Sequence, residues 1–190
     1  MSLVRDELVR HREVVDRVLD GLVGGIERAG TMVVDSLRAG GTLFIFGNGG
    51  SAADAQHIAA ELVGRYLAKK RKALPAIALT TDTSALTAIA NDFSFATVFE
   101  RQVEALARPG DVALGISTSG ESENVLLGLK AAQAAGAATI ALLGRSGGRI
   151  ASVCDLPLVV PSDETPRIQE MHILIGHLMC AHVDTAFTEG

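Results

Sequence analysis

The sequence predicts an α/β fold in which a parallel sheet is covered by helices on both faces. From Gly41 onward, short apolar runs rich in β-branched residues alternate with stretches of helical periodicity. Continuous apolar strands separated by helices are typical of a parallel sheet that is buried on both sides. A repeated pattern of strand, Gly/Ser-rich turn and helix supports this, in LFIFGNGGSAADA, VALGISTSGESEN and IALLGRSGGRIA. The predicted strands are 42–46, 76–79, 112–117, 139–143 and 156–160.

The length and composition favour one compact domain. We expect the 190 residues to form a single domain, 1–190, with an N-terminal helical segment at 1–38 and an α/β core at 39–190. A hydrophobic fraction of 48% with only 5 Pro is that of a chain that folds throughout.

The N-terminal segment has the pattern of an amphipathic helix. Apolar residues recur at helical spacing over residues 2 to 38, and Gly24-Gly25 is expected to mark a bend or break. A long amphipathic helix ahead of an α/β core cannot cover its whole apolar stripe by itself. We therefore expect it to pack against another subunit.

The charge pattern argues against a nucleic-acid partner. Lys and Arg total 17 against 22 Asp and Glu, which gives a net charge of −5, and no basic cluster is interleaved with aromatic residues. The basic run Lys69-Lys70-Arg71-Lys72 is interpreted as the solvated end of a helix, where cations are favourable.

Membrane and redox signals are also missing from the sequence. No apolar stretch reaches the roughly 20 residues that span a bilayer, so no membrane partner is expected. Cys154 and Cys180 lack metal-ligand spacing, and we interpret them as reduced thiols of a cytoplasmic protein.

The stretch from Leu43 to Arg65 carries the strongest indication of a site. A predicted strand delivers the loop 47–51 to the start of a helix, where glycines allow close approach and unpaired N–H groups attract anions. His57, Glu61 and Arg65 follow at spacings of four, which would place all three on one face of that helix.

A second loop, at 117–122, is rich in hydroxyl groups. It follows a buried strand and precedes a helix, so hydroxyls, loop N–H groups and the helix dipole together suit a phosphate. The alternative is a turn and helix cap of purely structural use. Glu121 and Glu123 would repel phosphate if they faced inward, so we expect them to point to solvent.

Two other motif readings are weak. Gly47, Gly49 and Ala52 match the dinucleotide fingerprint loosely, but Asp82 lies too far along the chain to bind a ribose. The run 115–119 resembles a nucleophile elbow except at Ser119, where that motif needs glycine.

The C-terminal segment supplies a second polar face. Thr165-Pro166 is a helix start, and the helix is expected to run to about Phe187 with Gln169 and His177 on one face. Together with His57 and Glu61, these residues can form an acid/base set, a metal site or both. Each residue taken singly is more often a surface or hydrogen-bonded core residue.

These motifs resemble the sugar isomerase (SIS) domains and, within them, the phosphoheptose isomerases. The matching segments are GNGGSAADAQHIAAEL, TAIANDF, GDVALGISTSGES, GRSGGRIA and RIQEMHILIGH. The resemblance implies a SIS-type three-layer sandwich with a five-stranded parallel sheet, a homotetramer, and conversion of sedoheptulose 7-phosphate to D-glycero-D-manno-heptose 7-phosphate for nucleotide-activated heptose biosynthesis.

The resemblance also implies residue roles. Glu61 would be the catalytic base and His177 the acid, acting through an enediol. Zinc, one ion per subunit, would be bound by His57, Glu61, Gln169 and His177. The implied substrate-binding residues are Asn48, Gly49, Gly50, Ser51, Glu61, Arg65, Asn91, Asp92, Ser117, Thr118, Ser119, Ser122 and Gln169.

Two other functions remain open at this point. The first is a non-catalytic SIS regulator like the DnaA-associating replication protein, which shares much of this sequence pattern. The second is a sugar-phosphate sensor, which would bind its ligand without turnover. The presence of Glu61 and His177 favours the enzyme. The chain departs from the family pattern at Glu121, where Asn is common, and at Pro166, where some members carry an acidic residue.

Overall fold

The computed structural model describes residues 2–188, and its centre is a five-stranded parallel sheet. The strand order is β2-β1-β3-β4-β5, with every neighbouring pair parallel. The strands are β1 (Leu43–Gly47), β2 (Ala76–Ala78), β3 (Val112–Ser117), β4 (Ala138–Leu143) and β5 (Leu156–Val159). The α/β class and all five predicted strands are confirmed. The observed strand ends differ from the predicted ones by no more than one residue.

Helices cover both faces of this sheet. They are α1 (Leu3–Gly21), α2 (Val23–Arg38), α3 (Gly50–Val63), α4 (Thr83–Asp92), α5 (Glu100–Leu106), α6 (Glu123–Ala134), α7 (Gly148–Ala151) and α8 (Thr165–Thr188). Alternate strand residues point to opposite faces. Ile45 therefore packs in one core with α1, α2, α3 and α8, while Phe44 packs in the other with α5, α6 and α7. The result is the expected three-layer sandwich.

The break in the N-terminal segment lies at Leu22, so the prediction that Gly24-Gly25 would mark it was wrong. Both glycines lie in the first turn of α2. Gly25 has a different use, because a Cβ placed there would approach Leu158 Cδ2 to 2.8 Å. The small residue lets α2 pack closely on β5.

The basic run after α3 is not uniformly solvated. Arg71 is only 6% exposed and is among the buried polar residues, whereas Lys69, Lys70 and Lys72 are exposed. The interpretation of this run as a solvated helix end was therefore wrong for Arg71. A buried arginine needs acceptors for its donors, and the structure provides them.

Among residues 2–188, no helix combines the length and apolar character that a membrane crossing requires. Both cysteines are free thiols, with Cys180 buried in α8 and Cys154 partly buried just before β5.

Candidate active site

Two loops meet where the strand order reverses. The chain passes from β1 to its neighbour β2 on one side and to β3 on the other, so the carboxyl ends of β1 and β3 are adjacent. Ligands of open parallel sheets bind at such switch points. The loop that follows β1 and the loop 117–122 that follows β3 are the two glycine- and serine-rich loops of the sequence. The two loops are therefore neighbours at the carboxyl edge of the sheet.

A pair of amides joins the loop after β1 to the first turn of α6, which follows the loop 117–122. Asn48 Nδ2 donates to Asn124 Oδ1 over 2.8 Å, and Asn124 Nδ2 donates back to Asn48 Oδ1 over 2.9 Å. Asn124 is only 3% exposed. The partly buried side chain of Asn48 is therefore engaged with Asn124.

The start of α3 is shaped by glycines. Gly49 has φ +58°, which disfavours a side chain, and no side chain caps the helix. A small cavity of about 150 Å³ opens beside Gly47, Asn48 and Gly49. The predicted contact Ser51 is buried at 4% exposure, so it faces the protein interior.

The loop 117–122 leaves a helix start without a side-chain cap. Ser122 is the residue before α6, yet its hydroxyl contacts Ser117 Oγ at 3.0 Å and does not cap the helix. The first N–H groups of a helix lack partners within the helix. Thr118 and Ser119 are only partly buried. Their hydroxyls and the helix start therefore form a concave set of donors for an anion.

Part of the loop's hydroxyl content serves the turn itself. Ser117 Oγ accepts from Gly120 N over 3.2 Å, and Ser119 Oγ accepts from Glu121 N over 3.1 Å. Gly120 has φ +70°, and a Cβ there would lie 2.0 Å from Gly147 O. The loop is thus seated tightly on the turn after β4. The turn-forming interpretation is confirmed for Ser117 and Ser119, and anion binding stays a prediction.

The two acidic residues at this loop, Glu121 and Glu123, are exposed and form ion pairs with Arg149. Arg149 Nε donates to Glu121 Oε2 over 2.8 Å, and Arg149 Nη2 donates to Glu123 Oε2 over 2.7 Å. All three side chains are about half exposed. Hydrogen bonds from the Arg149 side chain and backbone hold the pKa of Glu121 below its ordinary value. The expectation that both glutamates point to solvent is confirmed, and Arg149 neutralises charge that would repel a phosphate.

Helices α3 and α8 bring three ligand-type side chains together. His57 Nε2 lies 2.9 Å from His177 Nε2 and 3.4 Å from Glu61 Oε1. One donor atom from each of the three lies within 4.8 Å of the others. His57 is exposed and the other two are partly buried, so the group is open to solvent on one side.

This donor set fits a zinc ion. Zinc takes imidazole nitrogens and carboxylate oxygens at about 2.0–2.2 Å, so tetrahedral ligand atoms lie about 3.3 Å apart. The observed separations of 2.9 and 3.4 Å bracket that spacing. A fourth position remains for another donor or a substrate oxygen.

Gln169 lies against the start of α3. A Cβ on Gly50 would approach Gln169 Nε2 to 2.8 Å, so the amide sits directly on that glycine. Gln169 is on α8 two turns before His177 and therefore lies between the glycine loop and the group His57, Glu61 and His177.

Two further side chains border the group, and motif reasoning missed both. The Tyr66 ring stacks on His177, with centroids 5.5 Å apart and planes at 19°. Burial raises the pKa of Asp54 above its ordinary value, although the nearby His57 and His177 pull it down. Asp54 is one turn before His57 on α3, and that helical spacing was the available signal.

Some predicted site residues are not drawn into this group. The prediction that Arg65 shares the helical face of His57 and Glu61 was wrong, because α3 ends at Val63 and Arg65 lies exposed in the following loop. Asn91 and Asp92 are exposed at the end of α4. Asn91 Nδ2 donates to Asp92 Oδ1 over 2.8 Å.

A buried histidine fixes α8 to the sheet. His172 is fully buried, and its Nε2–H donates to Leu143 O at the end of β4 over 3.0 Å. Burial lowers the pKa of His172 to about 4, against a smaller opposing effect of the bond to Leu143. This neutral anchor holds α8, with Gln169 and His177, at the carboxyl edge of the sheet.

Comparisons with known proteins identify the family of the chain. Residues 9–144 match the model of the SIS domain family. The chain is 55% identical over 184 residues to the phosphoheptose isomerase of Nitratiruptor sp., with 97% of this chain and 98% of the relative covered.

Solved structures agree with the sequence match. The phosphoheptose isomerase from Neisseria gonorrhoeae superposes with a TM-score of 0.90 at 46% identity, covering 96% of this chain and 97% of that one. A phosphoheptose isomerase from Francisella tularensis gives a TM-score of 0.93 at 36% identity and covers 96% of each chain.

Proposed function

This chain belongs to the SIS domain family and, within it, to the phosphoheptose isomerases, and we propose that it converts sedoheptulose 7-phosphate to D-glycero-D-manno-heptose 7-phosphate. The observation that carries the proposal is the convergence of His57, Glu61 and His177 beside two anion-type loops. An isomerase of this kind needs a base and an acid near the substrate carbonyl and a separate holder for the phosphate. The heptose phosphate would then enter nucleotide-activated heptose biosynthesis.

The proposed phosphate holder is the loop 117–122. Ser117, Thr118, Ser119 and Ser122 offer hydroxyls there, and the uncapped start of α6 adds N–H groups and a favourable dipole. The ion pairs of Arg149 with Glu121 and Glu123 keep negative charge away from a bound dianion. The departure from the family pattern at Glu121 is therefore compatible with phosphate binding.

The sugar would lie between this loop and α3. Backbone groups at Asn48, Gly49 and Gly50 border the crevice, and Gln169 sits on Gly50. His57 follows Gly50 by seven residues, which corresponds to about 10 Å along the helix axis. The phosphate and the reacting carbons would thus occupy opposite ends of the same crevice. Arg65, Ser51, Asn91 and Asp92 remain proposed contacts on the strength of the family resemblance.

The proposed chemistry is proton transfer through a cis-enediol. Glu61 removes the proton from C1 of the ketose while His177 donates a proton to the carbonyl oxygen at C2, and the C1–C2 double bond forms. Glu61 then returns the proton to C2, and the C1 hydroxyl gives its proton to His177 as the C1 aldehyde forms, which restores both groups. Glu61 and His177 lie on different helices, and one donor atom of each lies within 4.8 Å of the other. This proximity supports the proposed exchange of protons.

We propose zinc as the cofactor, held by His57, Glu61, His177 and Gln169. The imidazole and carboxylate donors fit zinc, and the amide oxygen of Gln169 is the least usual of the four ligand types. When bound, zinc supplies Lewis-acid stabilisation of negative charge on substrate oxygens. With zinc bound, Glu61 would not be a wholly free base, because the same carboxylate would both hold the metal and take the proton from C1.

We also propose a cytoplasmic homotetramer. Val4, Leu8 and Leu19 lie on one face of α1 and are 69%, 65% and 67% exposed, which is a large apolar stripe for a free surface. A cavity of about 570 Å³ lies beside Leu3 and Leu8, away from the ligand loops, and we assign it to subunit contact. Both cysteines are free thiols, which supports the cytoplasmic location.

Incubation of purified protein with sedoheptulose 7-phosphate, followed by detection of the aldose product, tests the proposal. We expect turnover with zinc supplied. Absence of turnover with and without zinc would contradict the enzymatic assignment. Sugar-phosphate binding without turnover would then identify a sensor, and sugar-independent capture of a partner protein a regulator.

A further inference from the structure

The guanidinium of Arg71 is buried at the C-terminal end of α3, and each of its three nitrogens donates at least one hydrogen bond. Its side chain has 0% exposure, and Nε donates to Asp184 Oδ1 over 2.6 Å. Nη2 donates to Glu61 O over 2.6 Å, and Nη1 donates to Leu62 O over 2.8 Å and to Lys72 O over 2.6 Å. One side chain thus binds three backbone carbonyls and a carboxylate.

These contacts end the helix that carries Glu61. In a continuing helix, the carbonyls of Glu61 and Leu62 would accept from the N–H groups of Arg65 and Tyr66. Arg71 takes both carbonyls, and Leu74 N adds a 3.1 Å bond to Leu62 O. The chain therefore leaves α3 after Val63, immediately beyond the proposed base.

The other half of the ion pair ties the departing segment to α8. Asp184 Oδ2 accepts from Leu67 N and Ala68 N, each over 2.7 Å. Burial by itself would raise the pKa of Asp184, but bonds from Ala68 N–H, Arg71 and Leu67 N–H lower it. Asp184 is two helical turns beyond His177, and the tethered segment places the Tyr66 ring against His177.

We propose that Arg71 and Asp184 are positioning residues that set the distance between the catalytic helices α3 and α8. The proposal rests on the proposed isomerase function of this site. Arg71 holds the backbone of Glu61, Asp184 belongs to the helix of His177, and the ion pair joins the two. Both side chains are almost fully buried, so neither lines the open side of the group His57, Glu61 and His177. Their effect is exerted through the separation of Glu61 and His57 from His177.

The alternative is that the pair only stabilises the fold. Buried ion pairs are weak evidence for stability, because desolvation offsets much of the attraction and apolar replacements are often tolerated. What a guanidinium supplies beyond charge is a fixed planar fork of donors. Arg71→Lys keeps the charge and can keep the contact with Asp184, but it cannot reach the three carbonyls together. This variant therefore separates charge from geometry.

The test compares Arg71→Lys and Asp184→Asn with the wild type in zinc affinity and steady-state kinetics. Zinc dissociation constants come from competition with a chromogenic chelator, at a temperature where circular dichroism shows each variant folded. Loss of partners behind metal ligands typically weakens metal affinity or activity 10- to 100-fold. We expect a zinc dissociation constant at least 10-fold higher and kcat at least 10-fold lower, with KM changed less than threefold.

Asp155→Asn is the matched destabilised control. Asp155 accepts from Thr139 N and Thr139 Oγ1 over 2.8 Å at the amino edge of the sheet, remote from the ligand loops. We expect this variant to melt earlier than the wild type with unchanged zinc affinity and kcat. Lys70→Met, an exposed neighbour of Arg71, should change nothing.

The outcomes are separable. If Arg71→Lys and Asp184→Asn melt earlier but keep zinc affinity and kcat within twofold of the wild type, the pair is structural and the proposal is overturned. If the wild type fails to isomerise sedoheptulose 7-phosphate, the proposed function fails. Zinc affinity alone then decides whether Arg71 positions the group His57, Glu61 and His177.

Discussion

The Nε2 atoms of His57 and His177 lie 2.9 Å apart, although 120 residues separate the two in the chain. Each ring is carried by a different helix, α3 or α8, and the two helices pack against each other on the same face of the sheet. The packing of these two helices therefore brings together ring nitrogens that are far apart in the sequence.

The first prediction concerns zinc. We expect protein stripped with a chelator to rebind about one zinc ion per chain, because His57, Glu61 and His177 present one donor atom each. His57→Ala should weaken zinc binding at least 100-fold and lower activity in parallel. Metal content by mass spectrometry and chelator competition measure this. His182→Ala is the control, since that ring lies against Gly30, and zinc affinity should be unchanged.

The second prediction concerns the base. Glu61→Gln should reduce kcat about 10²- to 10⁴-fold, the usual contribution of a general base, while substrate binding stays largely intact. Binding is measured by calorimetry with sedoheptulose 7-phosphate and turnover by product formation. The exposed Glu104→Gln on α5 should behave as wild type. Normal turnover by Glu61→Gln would show that another group removes the proton.

The third prediction concerns the phosphate. Ser119→Ala should raise KM several-fold and leave kcat nearly unchanged, because the hydroxyl is proposed to hold the end of the substrate that does not react. It also accepts from Glu121 N, so the loop will loosen slightly. Ser152→Ala, whose hydroxyl bonds Arg149 O outside the loop, is the control. A large loss of kcat with unchanged KM would place Ser119 at the chemical step instead.

The fourth prediction concerns acid stability. The pKa of His172 is lowered from 6.5 to about 4 in the folded protein. Between these two pH values His172 is protonated in the unfolded chain but neutral in the native state. Stability is therefore lost as the pH falls from about 6.5 to about 4, by about 3 kcal/mol from this residue. Urea unfolding of wild type and His172→Gln at several pH values measures it. The variant should show a shallower decline, and an identical decline would contradict the prediction.

The fifth prediction concerns assembly. Leu8→Glu on the exposed stripe of α1 should convert a tetramer into smaller species, because a charge in an apolar contact is costly. Light scattering after size-exclusion chromatography gives the mass. Leu106→Glu, at an exposed position on α5, should leave the mass unchanged. A wild-type monomer would contradict the proposed assembly itself.

Local sequence patterns were sufficient to predict the sheet and the positions of the two candidate ligand loops. Each strand of the core is a run of apolar residues, and each of the two loops is recognisable by glycine or serine residues at a strand end. The closeness of His57 and Glu61 followed from helical spacing alone. Their grouping with His177 was first suggested by the polar faces of two helices and then implied by the family resemblance, because no local pattern fixes how two distant helices pack.

The errors arose where distant parts of the chain decide local structure. Helical periodicity continues through Arg65, but Arg71 returns to α3 and takes the carbonyls that would extend it. Nothing in the run Lys69-Lys70-Arg71-Lys72 distinguishes the one residue whose acceptors lie elsewhere. Likewise, Gly25 is small because Leu158 approaches it, not because the helix breaks there.

The reciprocal bonds between Asn48 and Asn124 have a consequence for solution conditions. Amides neither titrate nor attract counterions, so the link between the two loops is indifferent to acidity and to ionic strength. A charged pair at this position would compete with an incoming dianion for its counter-charge. Salt should therefore weaken substrate capture only through the phosphate itself, while the shape of the crevice between β1 and β3 stays constant.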